Sequence, residues 1–168
     1  MQMDEKFMKA ALAEAQQALA GGEFPVGCVI AGPEGIIAAG GRQSSRGPGA
    51  NEIDHAEITA IKRLYSRGGP AEKQDLTLYS TMEPCLMCFG AALIAGIRRI
   101  VYAYEDVMGG AASCNLESLP PLYRNAEPEV VSHVLRKQSL ELFYRFFSDN
   151  RNTYLQGTLL AEYTLCLK

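Results

Sequence analysis

The sequence has little of what marks membrane-spanning, disordered or strongly basic proteins. No apolar run approaches the roughly 18 residues that cross a bilayer. Its 16 basic and 19 acidic residues leave a net charge of −3, and 48% of the 168 residues are hydrophobic. That apolar fraction is too high for a disordered chain, and the charge is unlike the basic balance of most nucleic-acid-binding domains. We therefore expect one folded domain over residues 1–168, with no membrane contact.

Cysteine is also scarce and irregularly spaced. Of the five cysteines, only Cys85 and Cys88 are close in sequence, which is not the pattern of a disulfide-stapled secreted domain. The first 22 residues lack the basic start and continuous apolar block of a secretory signal. Both observations predict a cytoplasmic protein.

Hydrophobic periodicity predicts alternating helices and strands. Helices are expected after Asp4, after Asp54, over 85–95 and around 140–147, and strands over 24–31, 36–39, 76–81 and 98–104. Residues 130–135 fit either a strand or a helix start, and 151–168 predict a C-terminal helical extension. The alternation in the middle of the chain is typical of a three-layer α/β domain with parallel strands.

Three side chains have the types and placement of a catalytic zinc site. His55 lies in the sequence His-Ala-Glu, and Cys85 and Cys88 form Cys-x-x-Cys directly after Pro84. Zinc binds imidazole nitrogen and thiolate sulfur, and a catalytic site keeps three protein ligands so that water takes the fourth position. At a helix start the two sulfurs lie one turn apart and the helix dipole favours thiolate. Cys-x-x-Cys alone would also fit a redox pair or two buried small residues.

Glu57 is the candidate proton shuttle. It lies two residues after His55, near the same metal position, and a carboxylate there can take a proton from water and deliver it to a substrate nitrogen. His-x-Glu followed by Pro-Cys-x-x-Cys is a known signature of zinc nucleobase deaminases, in which the glutamate is a general acid and base and not a ligand.

With these motifs, the chain resembles the cytidine deaminase-like superfamily, in particular its branch of tRNA adenosine deaminases and guanine or cytosine deaminases. The resemblance implies an α/β/α sandwich with a central mixed sheet, Zn²⁺ on His55, Cys85 and Cys88, and a homodimer. It also implies that the main chain at Ala56 and Glu83 holds the base. Many members carry an asparagine in the preceding loop that hydrogen-bonds the base or sugar, and here the asparagine of that loop is Asn51.

The expected reaction is hydrolytic deamination of an amino-substituted purine or pyrimidine, with release of ammonia. We expect a free base or nucleoside, because the chain is acidic and its C-terminal tail is placed to cover the pocket, whereas phosphate contacts need Lys and Arg. Adenosine-to-inosine deamination of tRNA is the alternative, which a basic groove of Arg42, Arg46, Arg98 and Arg99 would favour. A non-catalytic zinc-folded binding subunit is a second alternative, although such a subunit has no need of Glu57.

Overall fold

A five-stranded sheet forms the centre of the protein. The computed structural model describes residues 2–66, 68–69 and 76–167. In that part of the chain, the strand order is β2-β1-β3-β4-β5. The strands are β1 Gly27–Gly32, β2 Gly35–Gly41, β3 Thr77–Met82, β4 Arg99–Tyr104 and β5 Glu129–Val131. β1 pairs antiparallel with β2 and β3, whereas β3, β4 and β5 run parallel, so the sheet is mixed as expected.

Helices cover both faces of this sheet. Alternate residues of a strand point to opposite faces, so Val29 and Tyr79 pack on α1 whereas Ile30 and Leu78 pack on the side of α2 and α3. The helices are α1 Gln2–Ala20, α2 Ala56–Ser66, α3 Leu86–Ile94, α4 Pro121–Arg124, α5 Arg136–Ser148 and α6 Leu159–Cys166. The three layers confirm the predicted α/β/α sandwich. None of the described helices is long and apolar enough to cross a membrane.

Two glycines let helices approach the sheet more closely than a side chain would allow. A Cβ atom on Gly27 would lie 2.1 Å from the carbonyl oxygen of Ala11 in α1. A Cβ atom on Gly40 would lie 2.6 Å from the carbonyl oxygen of Ala56 in α2. Gly40 therefore fixes how close the start of α2, and with it His55, lies to the sheet.

The C-terminal segment differs from the sequence prediction. Residues 151–158 form turns, and only Leu159–Cys166 is helical, while Lys168 lies outside the described residues. Leu155 and Gly157 have positive φ angles of 57° and 70°, which a right-handed helix does not contain. Thr158 then caps α6 by accepting a hydrogen bond from the Ala161 N–H. In the segment 130–135, which fitted either a strand or a helix start, Val130 and Val131 end the short edge strand β5, and Leu135 is the cap residue before α5.

Candidate metal centre and base cavity

The starts of α2 and α3 place the three predicted zinc ligands together. The carbonyl of His55 accepts from the Thr59 N–H, and the carbonyl of Cys85 accepts from the Phe89 N–H, so each residue stands just before its helix. A helix that starts directly after Asp54 would contain His55, but α2 begins at Ala56, and the Asp54 side chain binds Lys62 and Asn51. One turn into α3, Cys88 returns to the same side as Cys85.

The spacing of these ligand atoms fits zinc. Cys85 Sγ lies 3.6 Å from His55 Nδ1, and Cys88 Sγ lies 3.4 Å from the same nitrogen. A tetrahedral zinc ion with its usual bond lengths would hold such nitrogen and sulfur atoms about 3.6 Å apart. All three ligand atoms lie within 4.8 Å of one another. Zinc is therefore the cofactor that this donor set is built to hold.

The site favours one thiolate even before a metal is considered. The side-chain hydrogen bond from Cys88 outweighs the opposing effect of burial and, with His55, lowers the pKa of Cys85 to about 4. The same hydrogen bond, together with burial, raises the pKa of Cys88. The hydrogen bond to Cys85 raises the pKa of His55. A thiolate beside a cation is the form in which cysteine binds metals.

Glu57 lies in the first turn of α2, buried under the metal site. Only 3% of its surface is exposed, and its Oε1 accepts a hydrogen bond of 3.1 Å from the Ser80 hydroxyl on β3. Burial raises the pKa of the Glu57 carboxyl, since the charged form loses its water. The carboxyl group is held in one place and lines the same cavity as His55.

A cavity of about 250 Å³ opens beside the metal ligands. Its floor holds His55, Glu57 and Cys85, and the C-terminal segment contributes Tyr154, Leu155 and Leu160 to its wall. The segment therefore takes part in the cavity lining, and the expectation that it covers the pocket stays a prediction. The other lining residues are Phe24, Val26, Arg42, Glu52, Ala56, Met82, Glu83, Asp106, Met108 and Gly109.

A polar cluster of Arg42, Glu52 and Tyr154 stands in the outer wall of this cavity. Arg42 Nη2 donates to Glu52 Oε2 at 3.2 Å, and the Tyr154 hydroxyl donates to the same oxygen at 2.7 Å. Burial and the hydrogen bond to Glu52 raise the pKa of Tyr154 to about 12. The guanidinium also lies 5.8 Å from the centre of the Tyr154 ring. Glu52 and Tyr154 were not singled out from the sequence, since no local motif contains them.

The three residues expected to touch the base are placed differently from one another. Ala56 is buried in the cavity wall at the first position of α2, where helix N–H groups have no partner within the helix. Glu83 also lines the cavity, but its N–H donates to Tyr104, so only its carbonyl remains for a base. Asn51 is not among the lining residues: its side chain binds Asp54 and the Ile53 N–H.

The Glu83 side chain has a separate structural role. Its carboxylate accepts from the N–H groups of Asp106 and Ala112 and so holds the loop after β4. Gly110 makes room for it, since a Cβ atom there would lie 2.4 Å from the Glu83 carboxyl carbon. The loop held in this way supplies Met108 and Gly109 to the cavity.

The four arginines that would line a basic groove do not come together. Arg42 lies in the cavity wall near the Met82 end of β3, whereas Arg98 and Arg99 border a depression at the opposite end of that strand. Arg99 is paired there with Asp4 and Glu129. A different set, Arg46, Arg145 and Arg151, lines one surface depression with Asp149.

Comparison with known proteins agrees with this site. Residues 1–104 match the family model described as the cytidine and deoxycytidylate deaminase zinc-binding region. The chain belongs to this deaminase family. A tRNA-specific adenosine deaminase of Bacillus subtilis is 33% identical over 151 residues, covering 90% of this chain and 92% of that relative.

Solved structures show the same fold. A structure from a study of A-to-I editing by tRNA:A34 deaminases at the wobble position of transfer RNA is 32% identical, with a TM-score of 0.67. The match covers 82% of this chain and 98% of that one. A guanine deaminase from Nitrosomonas europaea has a TM-score of 0.66 at 21% identity, covering 84% of this chain and 83% of that one, and shows the fold alone. Family and fold thus support a zinc-dependent hydrolytic deaminase and leave its substrate to be proposed.

Proposed function

We propose that this deaminase acts on a free amino-substituted nucleobase or its nucleoside. The observation that carries the proposal is that Tyr154 and Leu155 of the C-terminal segment line the same small cavity as His55 and Cys85. Water and the amino compound are converted to the oxo compound and ammonia. A cavity of about 250 Å³ suits a single base, and its wall is mostly apolar apart from a few polar groups.

Each residue of the floor has a role in this reaction. His55, Cys85 and Cys88 would hold zinc, which acidifies water and so supplies a nucleophile at neutral pH. Glu57 takes one proton from the attacking water and delivers it to a ring nitrogen. It then takes the remaining proton of the new hydroxyl group and delivers it to the amino group, which leaves as ammonia as the carbonyl forms. The hydrogen bond from Ser80 and the burial of Glu57 keep its carboxyl aimed at one position. The Ala56 N–H and the Glu83 carbonyl orient the base.

The second candidate substrate is adenosine in tRNA, and the relatives favour it more directly than they favour a free base. The Bacillus subtilis relative and the tRNA:A34 deaminase structure are both about one-third identical to this chain. The charge of one part of the surface also favours a tRNA substrate. The depression lined by Arg46, Arg145 and Arg151 adjoins another that Arg46 and Arg151 share with Tyr154, so a basic surface reaches the outer wall of the cavity. Phosphate groups of an RNA would bind such a surface.

One experiment separates the candidates. Ammonia release by the zinc-loaded protein is measured with guanine, cytosine, adenine, their nucleosides and purified tRNA, each at low and high salt. Release from a free base or nucleoside with little salt dependence supports the first candidate. Release only from tRNA, steeply reduced by salt and by Arg145→Gln, supports the second.

Glu57→Gln tests the mechanism for either substrate. We expect ammonia release to fall on the order of 10²- to 10⁴-fold, because general acid–base catalysis contributes that much. Glu34→Gln, at an exposed turn far from the ligand set, is the matched control. Turnover by Glu57→Gln equal to that of the control would overturn the role of Glu57. No ammonia release from any substrate by the folded, zinc-loaded original chain would leave the non-catalytic zinc subunit as the explanation. The homodimer implied by the resemblance stays a prediction, which sedimentation of the purified chain would test.

A further inference from the structure

Glu52 is an exposed carboxylate that the fold holds in one position. Its side chain is 64% exposed, and a glutamate at such a site ordinarily keeps its rotamer freedom. Here Arg42 Nη2 donates to Glu52 Oε2 at 3.2 Å, and the Tyr154 hydroxyl donates to the same oxygen at 2.7 Å. The Arg42 N–H in turn donates to the Val26 carbonyl at 2.8 Å, and the centre of the Tyr154 ring lies 5.3 Å from that of Phe24. The carboxylate is therefore fixed before any ligand binds.

The second oxygen of this carboxylate is open to a donor from outside the protein. Both hydrogen bonds end on Oε2, and Oε1 accepts none from the residues that the structure describes. The ion pair with Arg42 is also made through Oε2, so Oε1 is not needed to balance the charge of the guanidinium. Because a carboxylate can only accept, the group that meets Oε1 must be a donor.

Glu52 lies at the mouth of the cavity and not on its floor. It lines the same cavity as Glu57, but Glu57 is only 3% exposed, whereas the Glu52 side chain is 64% exposed. A base whose amino-bearing carbon faces the floor therefore turns its far side towards Glu52.

Ribose is the part of a nucleoside that occupies this far side. In cytidine the ribose is attached to N1, across the ring from the amino-bearing C4. In purine nucleosides it is attached to N9, on the other ring from the amino-bearing carbon. Ribose carries hydroxyl donors, and an aspartate or glutamate accepts from a ribose hydroxyl in dinucleotide-binding sites. The position and the chemistry of Glu52 thus match the same group of the substrate.

We propose that the substrate is a nucleoside and that Glu52 Oε1 accepts a hydrogen bond from a hydroxyl group of its ribose. This inference rests on the proposed function, because the base must first bind beside the metal site. It narrows that function from a base or nucleoside to the nucleoside and names the residue that makes the distinction. A free base has no hydroxyl group and leaves Oε1 to water.

Steady-state kinetics with matched substrates test this proposal. The ratio kcat/KM is measured for each base of the panel, for its ribonucleoside, and for the 2′-deoxy and 3′-deoxy forms of that nucleoside. We expect the ribonucleoside to exceed its base and at least one deoxy form by roughly 10- to 100-fold, the range that a hydrogen bond to a charged group provides. The difference should lie in KM, because a contact remote from the reacting carbon is made equally in the ground state and the transition state.

Variants of Glu52 connect this preference to one side chain. Glu52→Gln keeps an acceptor for Arg42 and Tyr154 but removes the charge, and should weaken the preference for the ribonucleoside, since hydrogen bonds to charged groups are the stronger ones. Glu52→Ala removes the acceptor and should abolish the preference. In both variants kcat/KM for the free base should change much less than for the ribonucleoside. Glu117→Gln, at an exposed glutamate outside the cavity lining, is the matched control and should leave every ratio unchanged.

The outcomes separate recognition from folding and from the proposed function. Zinc content and unfolding temperature are measured for every variant, and Glu52→Gln decides alone if Glu52→Ala does not fold. Equal kcat/KM for a base and its ribonucleoside overturns the Glu52 proposal alone, and so does an equal loss for both substrates in the Glu52 variants. If the folded, zinc-loaded original chain releases ammonia from no base and no nucleoside, the proposed function is overturned as well.

Discussion

The floor and the outer wall of the cavity are built in contrasting ways. The floor holds His55, Glu57 and Cys85, which come from two helix starts that are each encoded by a motif of a few residues. The outer wall joins Arg42 and Tyr154, which are 112 positions apart in the chain. In the proposed reaction, the floor carries the chemistry and the wall faces the part of the substrate that does not react. The wall can therefore change without loss of the chemistry, so members of one family can act on different bases.

Removing a metal ligand should have the largest effect, and the effect should be limited to the floor of the cavity. Cys88→Ser replaces a fully buried thiol that lies 3.4 Å from His55 Nδ1. We expect zinc content to fall well below one ion per chain and ammonia release to drop more than about 100-fold, since a catalytic zinc site depends on all three protein ligands. Metal analysis of the purified protein measures the first and the deaminase assay the second. Cys114→Ser, at an exposed cysteine, is the control and should keep full zinc content.

Gly40→Ala should disturb the support of the floor without removing a ligand. The new Cβ atom would lie 2.6 Å from the Ala56 carbonyl oxygen and 2.8 Å from the Ala60 nitrogen, so α2 must move. We expect a loss of about 1 to 3 kcal/mol in the free energy of unfolding, as for other overpacked sites. Urea unfolding measures it.

The matched change for this test is Gly90→Ala in α3, where no atom lies within 4 Å of the new Cβ. Alanine is the better helix former, and we expect a gain of about 0.5 to 1 kcal/mol. A Gly40→Ala protein as stable as the original chain would show that α2 does not need its close approach to β2.

Tyr154→Phe should affect the wall alone. It removes the hydroxyl that donates to Glu52 at 2.7 Å but keeps the ring beside Arg42. This hydrogen bond stabilises the fold by about 0.5 to 1.5 kcal/mol, so its loss loosens the wall, and we expect KM to rise by at most about 10-fold with kcat nearly unchanged. Steady-state kinetics with the substrate found in the panel measure both. A fall in kcat with unchanged KM would mean that the wall takes part in the chemistry.

The smallest effect should be an acid-dependent loosening of α6, which carries part of the wall. Burial opposes ionisation of Glu105, but hydrogen bonds from Arg136 and from Tyr163 of α6 outweigh it and lower its pKa to about 2. A lowered pKa stabilises the fold above the carboxyl's unfolded value of about 4.3, and this contribution is lost as the pH falls towards 2. Glu105→Gln should therefore lose less stability than the original chain between pH 5 and pH 3. If the unfolding temperatures of the original chain and of Glu105→Gln fall equally from pH 5 to pH 3, this prediction is wrong.

Sequence patterns predicted the floor of the site better than its wall. The ligand set follows from two short motifs at helix starts, where local spacing fixes which side chains converge. Arg42 was grouped with Arg46, Arg98 and Arg99 by charge alone, and only the sheet places Arg99 at the far end from the cavity. Asn51 was chosen for its residue type, but its amide is used within its own loop. Contacts between distant segments, such as Glu52 with Tyr154, have no local signal.

The ligand set also has a consequence for how the chain holds together. His55 and Cys85 are 30 positions apart, and an ion that binds both closes the intervening segment into a loop. Such a clip lowers the conformational entropy of the unfolded chain if it persists there, as a disulfide does, and otherwise adds its binding free energy to the folded state. In either case an ion bound by His55 and Cys85 links the start of α2 to the start of α3. A chelator should then lower the unfolding temperature as well as the rate of deamination. The same ion would have a structural role and a catalytic one.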